Sequence, residues 1–288
     1  MSDLGNILIC ANDSGGANQI YYWYLKNRKK YNFYFYLSGP AKKLFNRNNT
    51  MLKKIKKLHF DKIITGTSIN SDIEKKIRFY FKEHKNIITF LDHYINYKVR
   101  FFYKGKYHYP NEIWCSDKFS FHISKKIFKQ IRIKLVKNYY KIELLKQLGE
   151  KNNLKFNNKK NVKALFLSEP FNNRKYYKNE REIIEKMIKF LQAINVNVLT
   201  IRLHPSEKNS KFNFLKKIIL RNSKINVKLD KEKTIFKSFK NNKYIIGVES
   251  YALVISSYGK KKTFTLLPHK NFRSSLPHKS IVSVNNYI

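Results

Sequence analysis

The stretch Asn6–Gly16, NILICANDSGG, decides the fold class of this chain. Its first six residues form a short apolar run of the kind that lies buried on both faces of a parallel sheet. A polar turn with two glycines follows at once, and residues 17–29, aromatic and basic, are predicted to form a helix. A strand, a glycine turn and a helix in this order predict the first βα unit of a parallel α/β domain.

The same pattern repeats along the 288 residues, which are enough for two domains. The prediction is an α/β protein with two Rossmann-like βαβ domains facing a cleft: residues 1–149, a linker at 150–161 rich in Asn and Lys, and residues 162–288. A long surface loop within one domain is the alternative for 150–161. The other predicted strands are Phe33–Leu37, Lys62–Thr65, Ile87–Leu91, Ile113–Cys115, Val162–Leu167, Asn197–Leu203, Ile225–Leu229, Tyr244–Val248 and Thr263–Leu267. The other predicted helices are Ser71–His84, Asn138–Leu148, Glu180–Ala193, Phe212–Leu220, Thr234–Phe239 and a helix starting at Ser250.

The composition is strongly basic, with 60 Lys and Arg against 19 Asp and Glu, a net charge of +41. Because 42% of the residues are hydrophobic, intrinsic disorder is excluded. Such a charge attracts polyanions, whether nucleic acid, anionic lipid head groups or phosphorylated substrates, and does not choose among them. The two cysteines, Cys10 and Cys115, lie in apolar runs and are predicted to be buried thiols. No stretch has the pattern of a signal peptide or a membrane span, so a cytoplasmic location is expected.

Ligands of open α/β sheets bind outside the carboxyl ends of the strands, so polar residues after strands are the candidates for a site. In the first half these are Asp13 with Gly15 and Gly16, and then Asp92 with His93. Either acid, or the imidazole, is a candidate general base. The alternative for Asp13 is an ordinary helix N-cap, and for Asp92 and His93 a capping acid and a half-buried His. Neighbouring side chains on a strand point to opposite faces, so Asp92 and His93 need not pair with each other.

In the second half the strand ends carry Ser168-Glu169-Pro170, then Arg202 with His204-Pro205, then Glu249-Ser250. An imidazole held by a proline and a hydroxyl at a helix start are suited to phosphate. A proline turn, a structural His and a plain N-cap are the alternatives. A G-x-G-x-x-G or Walker-type motif does not occur in the sequence, which disfavours a P-loop NTPase.

Taken in order, these three strand ends resemble the donor-binding half of GT-B glycosyltransferases. The series is similar to that of bacterial sialyltransferases and related CMP-sugar or CDP-glycerol transferases, with a Pro turn, an HP dipeptide and a Ser-containing helix start over about residues 162–268. The resemblance implies that His204 and Ser250 contact the donor phosphate and that Glu169 and Glu249 lie near the nucleoside. The acidic D/E-D/E-G triplet of such families does not occur in the sequence, so Asp13 and Asp92 are placed as the base by position.

The resemblance implies a metal-independent glycosyltransferase that needs no cofactor beyond its nucleotide-sugar donor, with a CMP-sugar favoured. The expected reaction moves a sugar, such as a sialic-acid-like nonulosonate, to a cell-surface glycan or lipid-linked acceptor. The basic surface, including Gly259–Lys262, would hold the enzyme at an anionic membrane and bind nucleic acid without specificity, although a solvated face is the alternative for that run. A UDP-sugar-processing enzyme such as a 2-epimerase-like protein, a non-enzymatic nucleic-acid-binding protein and an inactive GT-B fold remain open.

Overall fold

The computed structural model describes residues 4–69, 71–149, 162–170 and 180–288. The chain divides into two compact units, Met1–Glu143 and Leu144–Ile288, each built on a parallel six-stranded sheet. The predicted linker at 150–161 lies outside the described residues. In the part of the chain that is described, no helix is both long and apolar enough to span a bilayer.

The sheet of the first unit has the strand order β2-β1-β3-β4-β7-β8. Its strands are β1 (Asn6–Ala11), β2 (Asn32–Leu37), β3 (Lys62–Thr65), β4 (Ile87–Leu91), β7 (Glu112–Cys115) and β8 (Arg132–Leu135). A separate antiparallel hairpin consists of β5 (Phe102–Tyr103) and β6 (Lys106–Tyr107). The helices are α1 (Ser14–Asn27), α2 (Gly39–Phe45), α3 (Leu52–Ile55), α4 (Ile73–Tyr80), α5 (Lys118–Ile127) and α6 (Tyr139–Gly149), the last of which contains the boundary between the units.

Strand β1 lies inside the sheet, between β2 and β3, and both of its faces are apolar. Ile7 and Ile9 belong to the hydrophobic cluster that contains residues of α1, whereas Leu8 and Cys10 belong to the cluster on the opposite face. An interior strand of such a sheet separates two layers of core, which explains why β1 is a continuous apolar run rather than an alternating one.

The second unit repeats the architecture with the strand order β11-β10-β9-β12-β13-β14. Its strands are β9 (Lys163–Leu167), β10 (Val198–Arg202), β11 (Asn226–Leu229), β12 (Tyr244–Gly247), β13 (Lys262–Thr265) and β14 (Ile281–Ser283). Its helices are α7 (Glu180–Ala193), α8 (Asn209–Asn222), α9 (Ile235–Asn241) and α10 (Tyr251–Tyr258). The predicted apolar stripe of α7 is confirmed, since Ile183, Ile184, Met187, Ile188 and Leu191 are all buried in the core of this unit.

Every predicted strand is present to within two residues at its ends, and both cysteines are buried as predicted. Three helix ends lie three or more residues from their predicted positions. Helix α1 begins at Ser14 instead of residue 17, because Asp13 has the extended backbone of an N-cap residue. Helix α4 covers only Ile73–Tyr80 of the predicted 71–84, and α8 begins at Asn209 instead of residue 212. The sequence analysis missed the edge strands β8 and β14, the hairpin, and the helices α2, α3 and α5.

Candidate functional site

In the first unit, the polar residues that follow β1, β3 and β4 lie along one edge of the sheet. The chain passes from β1 to β2 on one side and then to β3 on the other, so the sheet changes direction between β1 and β3. Ligands of open α/β sheets bind at such a switch point. Asn12 and Asp13 follow β1, Thr67 and Ser68 follow β3, and Asp92 follows β4.

Asp92 is the most enclosed acid of this edge, with 3% of its surface exposed. Its Oδ1 atom accepts a hydrogen bond from the Thr67 hydroxyl at 3.0 Å. Its Oδ2 atom is buried and has no hydrogen-bond partner among the described residues. That oxygen lies over the first turn of α1: a Cβ atom built on Gly15 would be 1.9 Å from it. Gly15 therefore leaves the space in which a buried carboxylate oxygen faces the positive end of a helix.

The Nε2 atom of His93 lies 3.5 Å from Asp92 Oδ2, so the two side chains are neighbours. They can approach because β4 ends at Leu91, and the alternation of side chains along a strand does not apply to residues 92 and 93. The His93 ring is partly exposed, yet the surrounding protein desolvates it enough to lower its pKa, against the opposing attraction of Asp92. The imidazole is therefore neutral at neutral pH, and a neutral imidazole beside a carboxylate can accept a proton.

Asp13 lies at the N-cap position of α1, but its side chain does not cap the helix. Its Oδ1 atom accepts a hydrogen bond from the Asn12 amide at 2.7 Å, and the same amide nitrogen lies 3.3 Å from Ser68 Oγ. The Ser38 hydroxyl donates to Asn12 Oδ1 at 2.5 Å. These bonds tie the ends of β1, β2 and β3 together around Asp13, as a positioned acid requires.

Three buried charged residues, Glu74, Arg78 and Arg100, support this edge, and the sequence analysis missed Glu74 and Arg78. Glu74 accepts hydrogen bonds from the backbone N–H groups of Asn12 and Ser68, at 3.0 and 2.7 Å. The Arg100 guanidinium donates to the carbonyl of Thr67 at 2.6 Å, and that of Arg78 donates to the carbonyl of Arg100 at 2.9 Å. The network fixes the loop that carries Thr67 and, through Thr67, the orientation of Asp92. The only sequence signal for it is an i,i+4 Glu–Arg pair beside the apolar face of α4.

Burial raises the pKa of Glu74 to about 7, and Arg78 opposes the shift. Because this value exceeds the value of 4.5 for an unperturbed Glu, the folded protein binds more protons at Glu74 than the unfolded chain between these two pH values. The contribution to stability is therefore complete below pH 4.5 and is lost as the pH rises through 7. We expect wild type to lose roughly 3 kcal/mol of unfolding free energy relative to Glu74→Gln across this window. Denaturant unfolding at a series of pH values measures this difference, and Glu83→Gln, at an exposed acid, is expected to show none.

In the second unit, β10, β9 and β12 are adjacent, so the carboxyl ends that carry His204, Glu169 and Ser250 lie along one edge. This sheet also changes direction there, between β9 and β12. Glu169 Oε1 accepts hydrogen bonds from the backbone N–H groups of Val248 and Glu249, both at 3.0 Å. Glu169 thus joins the loops after β9 and β12. Ser168 extends the ladder between strands, its N–H donating to the carbonyl of Arg202 at 2.9 Å.

His204 is held in one orientation by its own turn. The backbone N–H of Ser206 donates to His204 Nδ1 at 3.2 Å, and the Ser206 hydroxyl lies 2.7 Å from the same atom. Because Nδ1 accepts, a neutral His204 carries its proton on Nε2. Pro205 and the carboxylate of Glu207, which accepts from the backbone N–H of His204 at 2.9 Å, complete the turn. The result is a fixed N–H donor.

Ser250 is the N-cap residue of α10 without making the usual cap. Its hydroxyl oxygen is buried and has no hydrogen-bond partner in residues 4–69, 71–149, 162–170 and 180–288. An N-cap serine normally accepts from the first turn of its helix, so this hydroxyl and the helix N–H groups are both suited to an anion. Glu249 Oε1 instead accepts from the hydroxyl of Ser274, at 3.0 Å, and from the backbone of Ser275, at 2.6 Å.

Arg202, predicted to bind the donor, is engaged within its own unit. Its Nη1 atom lies 2.6 Å from Asp230 Oδ2 and donates to the hydroxyl of Ser238 and the carbonyl of Glu232, at 3.0 and 3.1 Å. The Lys run is also partly engaged: Lys261 donates to the carbonyl of Asn242 at 3.2 Å. Among the described residues, no group of three or more His, Cys, Asp or Glu side chains is placed to hold a metal ion.

Several solved structures have the same two-unit architecture. The UDP-GlcNAc 2-epimerase of Methanocaldococcus jannaschii, in complex with UDP-GlcNAc and UDP, matches 98% of this chain and 89% of its own, with a TM-score of 0.67 and 12% identity. The chain has a GT-B-like fold. The UDP-GlcNAc 2-epimerase of Neisseria meningitidis bound to UDP-GlcNAc matches 94% of this chain and 84% of its own, with a TM-score of 0.65 and 10% identity.

A protein that is not named as an epimerase belongs to the same set. MurG of Acinetobacter baumannii matches 91% of this chain and 79% of its own, with a TM-score of 0.52 and 10% identity. No protein-family model matches the sequence, and no curated protein sequence matches it. The predicted fold class, α/β with two Rossmann-like domains of the GT-B type, is confirmed by these likenesses, which at such identities are likenesses of fold.

Proposed function

We propose that this chain is a nucleotide-sugar-processing enzyme that acts on a UDP-sugar in the manner of a 2-epimerase. One observation carries the proposal: both sheets place polar and titratable side chains at their switch points, in a fold shared with epimerases solved with UDP-GlcNAc or UDP. The sequence analysis held this activity as the alternative to sugar transfer. The fold likeness supports the alternative more strongly, since the epimerases match with higher TM-scores than MurG does.

The second unit supplies the nucleotide-binding groups of this proposal. A diphosphate carries negative charge and accepts hydrogen bonds, and it pairs with the N-terminus of α10, the Ser250 hydroxyl and the Nε2–H of His204. Glu169 and Glu249 shape the loops around that position through their backbone hydrogen bonds. The HP dipeptide resemblance favours a cytidine nucleotide and the fold likeness a uridine nucleotide, so the base is left to experiment.

The first unit supplies the proton chemistry. Inverting C2 of a UDP-sugar begins with removal of its proton from one face, and the electron pair of that C–H bond forms a C1–C2 double bond as the C1–O bond to UDP breaks. Re-addition of UDP at C1, with a proton delivered to the opposite face of C2, gives the epimer. Asp92, with His93 Nε2 3.5 Å from its Oδ2 atom, is proposed as the base on one face, and Asp13, the further acid of the same edge, is proposed as the group that returns a proton. Transfer to an acceptor would use the same carboxylate to take the acceptor's proton and would release the nucleotide.

The test combines binding with isotope exchange. UDP, CMP, CDP, GDP and ADP are compared by calorimetry at high salt, which screens the attraction of any polyanion to this basic surface. The protein is then incubated with UDP-GlcNAc in D₂O, and proton NMR follows the signal of the sugar C2 proton. Deuterium at C2 with appearance of the C2 epimer is the expected result. UDP release that requires an added acceptor would establish transfer instead, and selective CMP binding without UDP binding would contradict the UDP-sugar proposal.

Replacing Ser250 with Ala provides a prediction for the nucleotide site. The hydroxyl makes no cap hydrogen bond, so its loss is expected to leave the melting temperature nearly unchanged, whereas an ordinary N-cap Ser→Ala change costs about 1 kcal/mol. UDP affinity, in contrast, is expected to fall about tenfold, because one hydrogen bond to a phosphate is lost. Calorimetric titration of both proteins measures the difference. Ser223→Ala, at the end of α8, is the matched serine control, and equal UDP affinity of Ser250→Ala and wild type would remove Ser250 from the site.

A further inference from the structure

The hairpin formed by β5 and β6 projects aromatic side chains away from the first unit. Its two turn residues, Lys104 and Gly105, both have positive φ angles, 49° and 77°, as a tight two-residue hairpin turn requires. A Cβ atom built on Gly105 would meet no described atom within 4 Å, so the turn points into open space. We call residues 102–109 the aromatic hairpin.

Three rings of the aromatic hairpin form a continuous exposed row. Phe102, Tyr107 and Tyr109 are 42%, 50% and 40% exposed. The ring centroids of Phe102 and Tyr107 are 5.1 Å apart, and those of Tyr107 and Tyr109 are 5.5 Å apart. A contiguous apolar row on an otherwise charged surface marks an interaction site.

The hairpin is anchored from below, so the row is held in place. Tyr103 and His108 both pack on Phe79 of α4. The ring centroid of Phe79 lies 5.8 Å from that of Tyr103 and 5.2 Å from that of His108. Tyr109 packs edge-on against Phe128, at 5.6 Å. Because the rings are already held in place, binding to a partner surface costs little of their conformational entropy.

The chain segment that carries the row has charged residues of one sign only. Residues 93–111 contain no Asp or Glu, whereas Lys98, Lys104 and Lys106 are all exposed. Aromatic rings flanked by lysines are the composition that proteins place at the level of lipid head groups, where the rings enter the interface and the lysines meet anionic lipids.

We propose that the aromatic hairpin docks this protein on the surface of a membrane that contains anionic lipids. The proposal is independent of the reaction that the enzyme catalyses. It also differs from the role expected of the Gly259–Lys262 run, which is a lysine cluster of the second unit without a ring row. Phe102 and Tyr107 enter the interfacial region, and Lys104 and Lys106 contact lipid phosphates.

Two other occupants fit the geometry less well. Single-stranded nucleic acid binds by stacking bases on open ring faces, but Tyr107 and Tyr109 are nearly parallel, 7° apart, and turn their faces toward each other. A second copy of the chain related by a twofold axis would bring the same lysine-rich patch against itself, with repulsion of like charges. A lipid surface accepts ring edges and lysines together.

The test is co-sedimentation of the full chain with vesicles of phosphatidylcholine alone, or of phosphatidylcholine with about one-third phosphatidylglycerol, at physiological salt. Lys104→Asn/Lys106→Gln removes two charges and leaves Asn-Gly, a pair that favours this turn. Phe102→Ser/Tyr107→Ser removes the exposed rings. Each double variant is expected to bind the anionic vesicles about tenfold more weakly than wild type. Phe214→Ser and Lys216→Gln/Lys217→Gln, on the exposed face of α8, are the matched controls and are expected to bind as wild type does.

A second measurement places the hairpin directly. In the variant Phe102→Trp, the fluorescence of the new side chain is expected to be quenched by brominated lipids in the anionic vesicles. The wild-type protein, whose fluorescence comes from Trp23 and Trp114, gives the background to subtract. Undiminished vesicle binding by both double variants would overturn the proposal. A wild-type dimer that becomes a monomer in the double variants, measured by light scattering, would also overturn it and would indicate a second copy of the chain as the occupant. Loss of oligonucleotide binding by the double variants without loss of vesicle binding would overturn it in favour of nucleic acid. UDP affinity is measured in parallel, so failure of the membrane proposal is distinct from failure of the nucleotide proposal.

Discussion

Replacing Asp92 with Asn is expected to slow turnover of the UDP-sugar by on the order of a thousandfold and to leave UDP affinity nearly unchanged. An amide cannot take a proton from carbon, whereas its oxygen can still accept from the Thr67 hydroxyl and keep the side chain in place. UDP affinity is retained because the proposed nucleotide contacts belong to the second unit. The rate of deuterium incorporation at C2 and a UDP titration measure the two quantities separately.

The control is Asp72→Asn, at a half-exposed acid of the same unit that pairs with Lys75. It is expected to turn over at the wild-type rate. If Asp92→Asn retained activity within about threefold of wild type, Asp92 would not be the base, and Asp13 would be the next acid to replace.

The strands that the core surrounds on both faces were all predicted correctly. All five residues of β4 are buried, and five of the six residues of β1. Burial on both faces requires a continuous apolar run, which the sequence alone reveals. The edge strand β8 was missed because three of its four residues are exposed, so Arg132–Leu135 has the composition of a loop. Pairing with β7, a tertiary contact, makes it a strand.

The residues of the candidate site likewise divide into those that the sequence marks and those that only the structure shows. Asp13, Asp92, His204 and Ser250 were found because they directly follow strands, and the end of a parallel strand is a position that the sequence marks. Thr67 and Glu74 were missed because they reach the site from a loop and a helix. Their roles depend on which way a buried charge points, and that follows from packing around β3 and β4 rather than from spacing along the chain.

The two glycines of the opening motif are also distinguished only by the structure. In the sequence, Gly15 and Gly16 are equivalent members of one turn. In the structure both belong to the first turn of α1, where Ala is intrinsically preferred over Gly by about 1 kcal/mol. A Cβ atom on Gly16 would be 3.4 Å from the Cα atom of Gly66, an ordinary contact, whereas one on Gly15 would overlap Asp92 Oδ2.

Gly15→Ala is therefore expected to lower the unfolding free energy by about 2 kcal/mol and to remove activity together with it. The added methyl group displaces the Asp92 carboxylate, which cannot turn away without breaking its hydrogen bond to Thr67. Gly16→Ala, the adjacent control, is expected to be neutral or slightly stabilising. Denaturant unfolding of the three proteins measures these differences.

The double variant Gly15→Ala/Asp92→Ala isolates the cause. If the cost of Gly15→Ala comes from contact with the Asp92 carboxylate, removing that carboxylate frees the space, and the alanine then contributes only its helix preference. The pair is expected to be non-additive by about 2 kcal/mol, with the double variant more stable than the sum of the single changes implies. Additive effects would mean that the carboxylate does not lie over the start of α1, and the assignment of Asp92 Oδ2 as the proton acceptor would lose its structural basis.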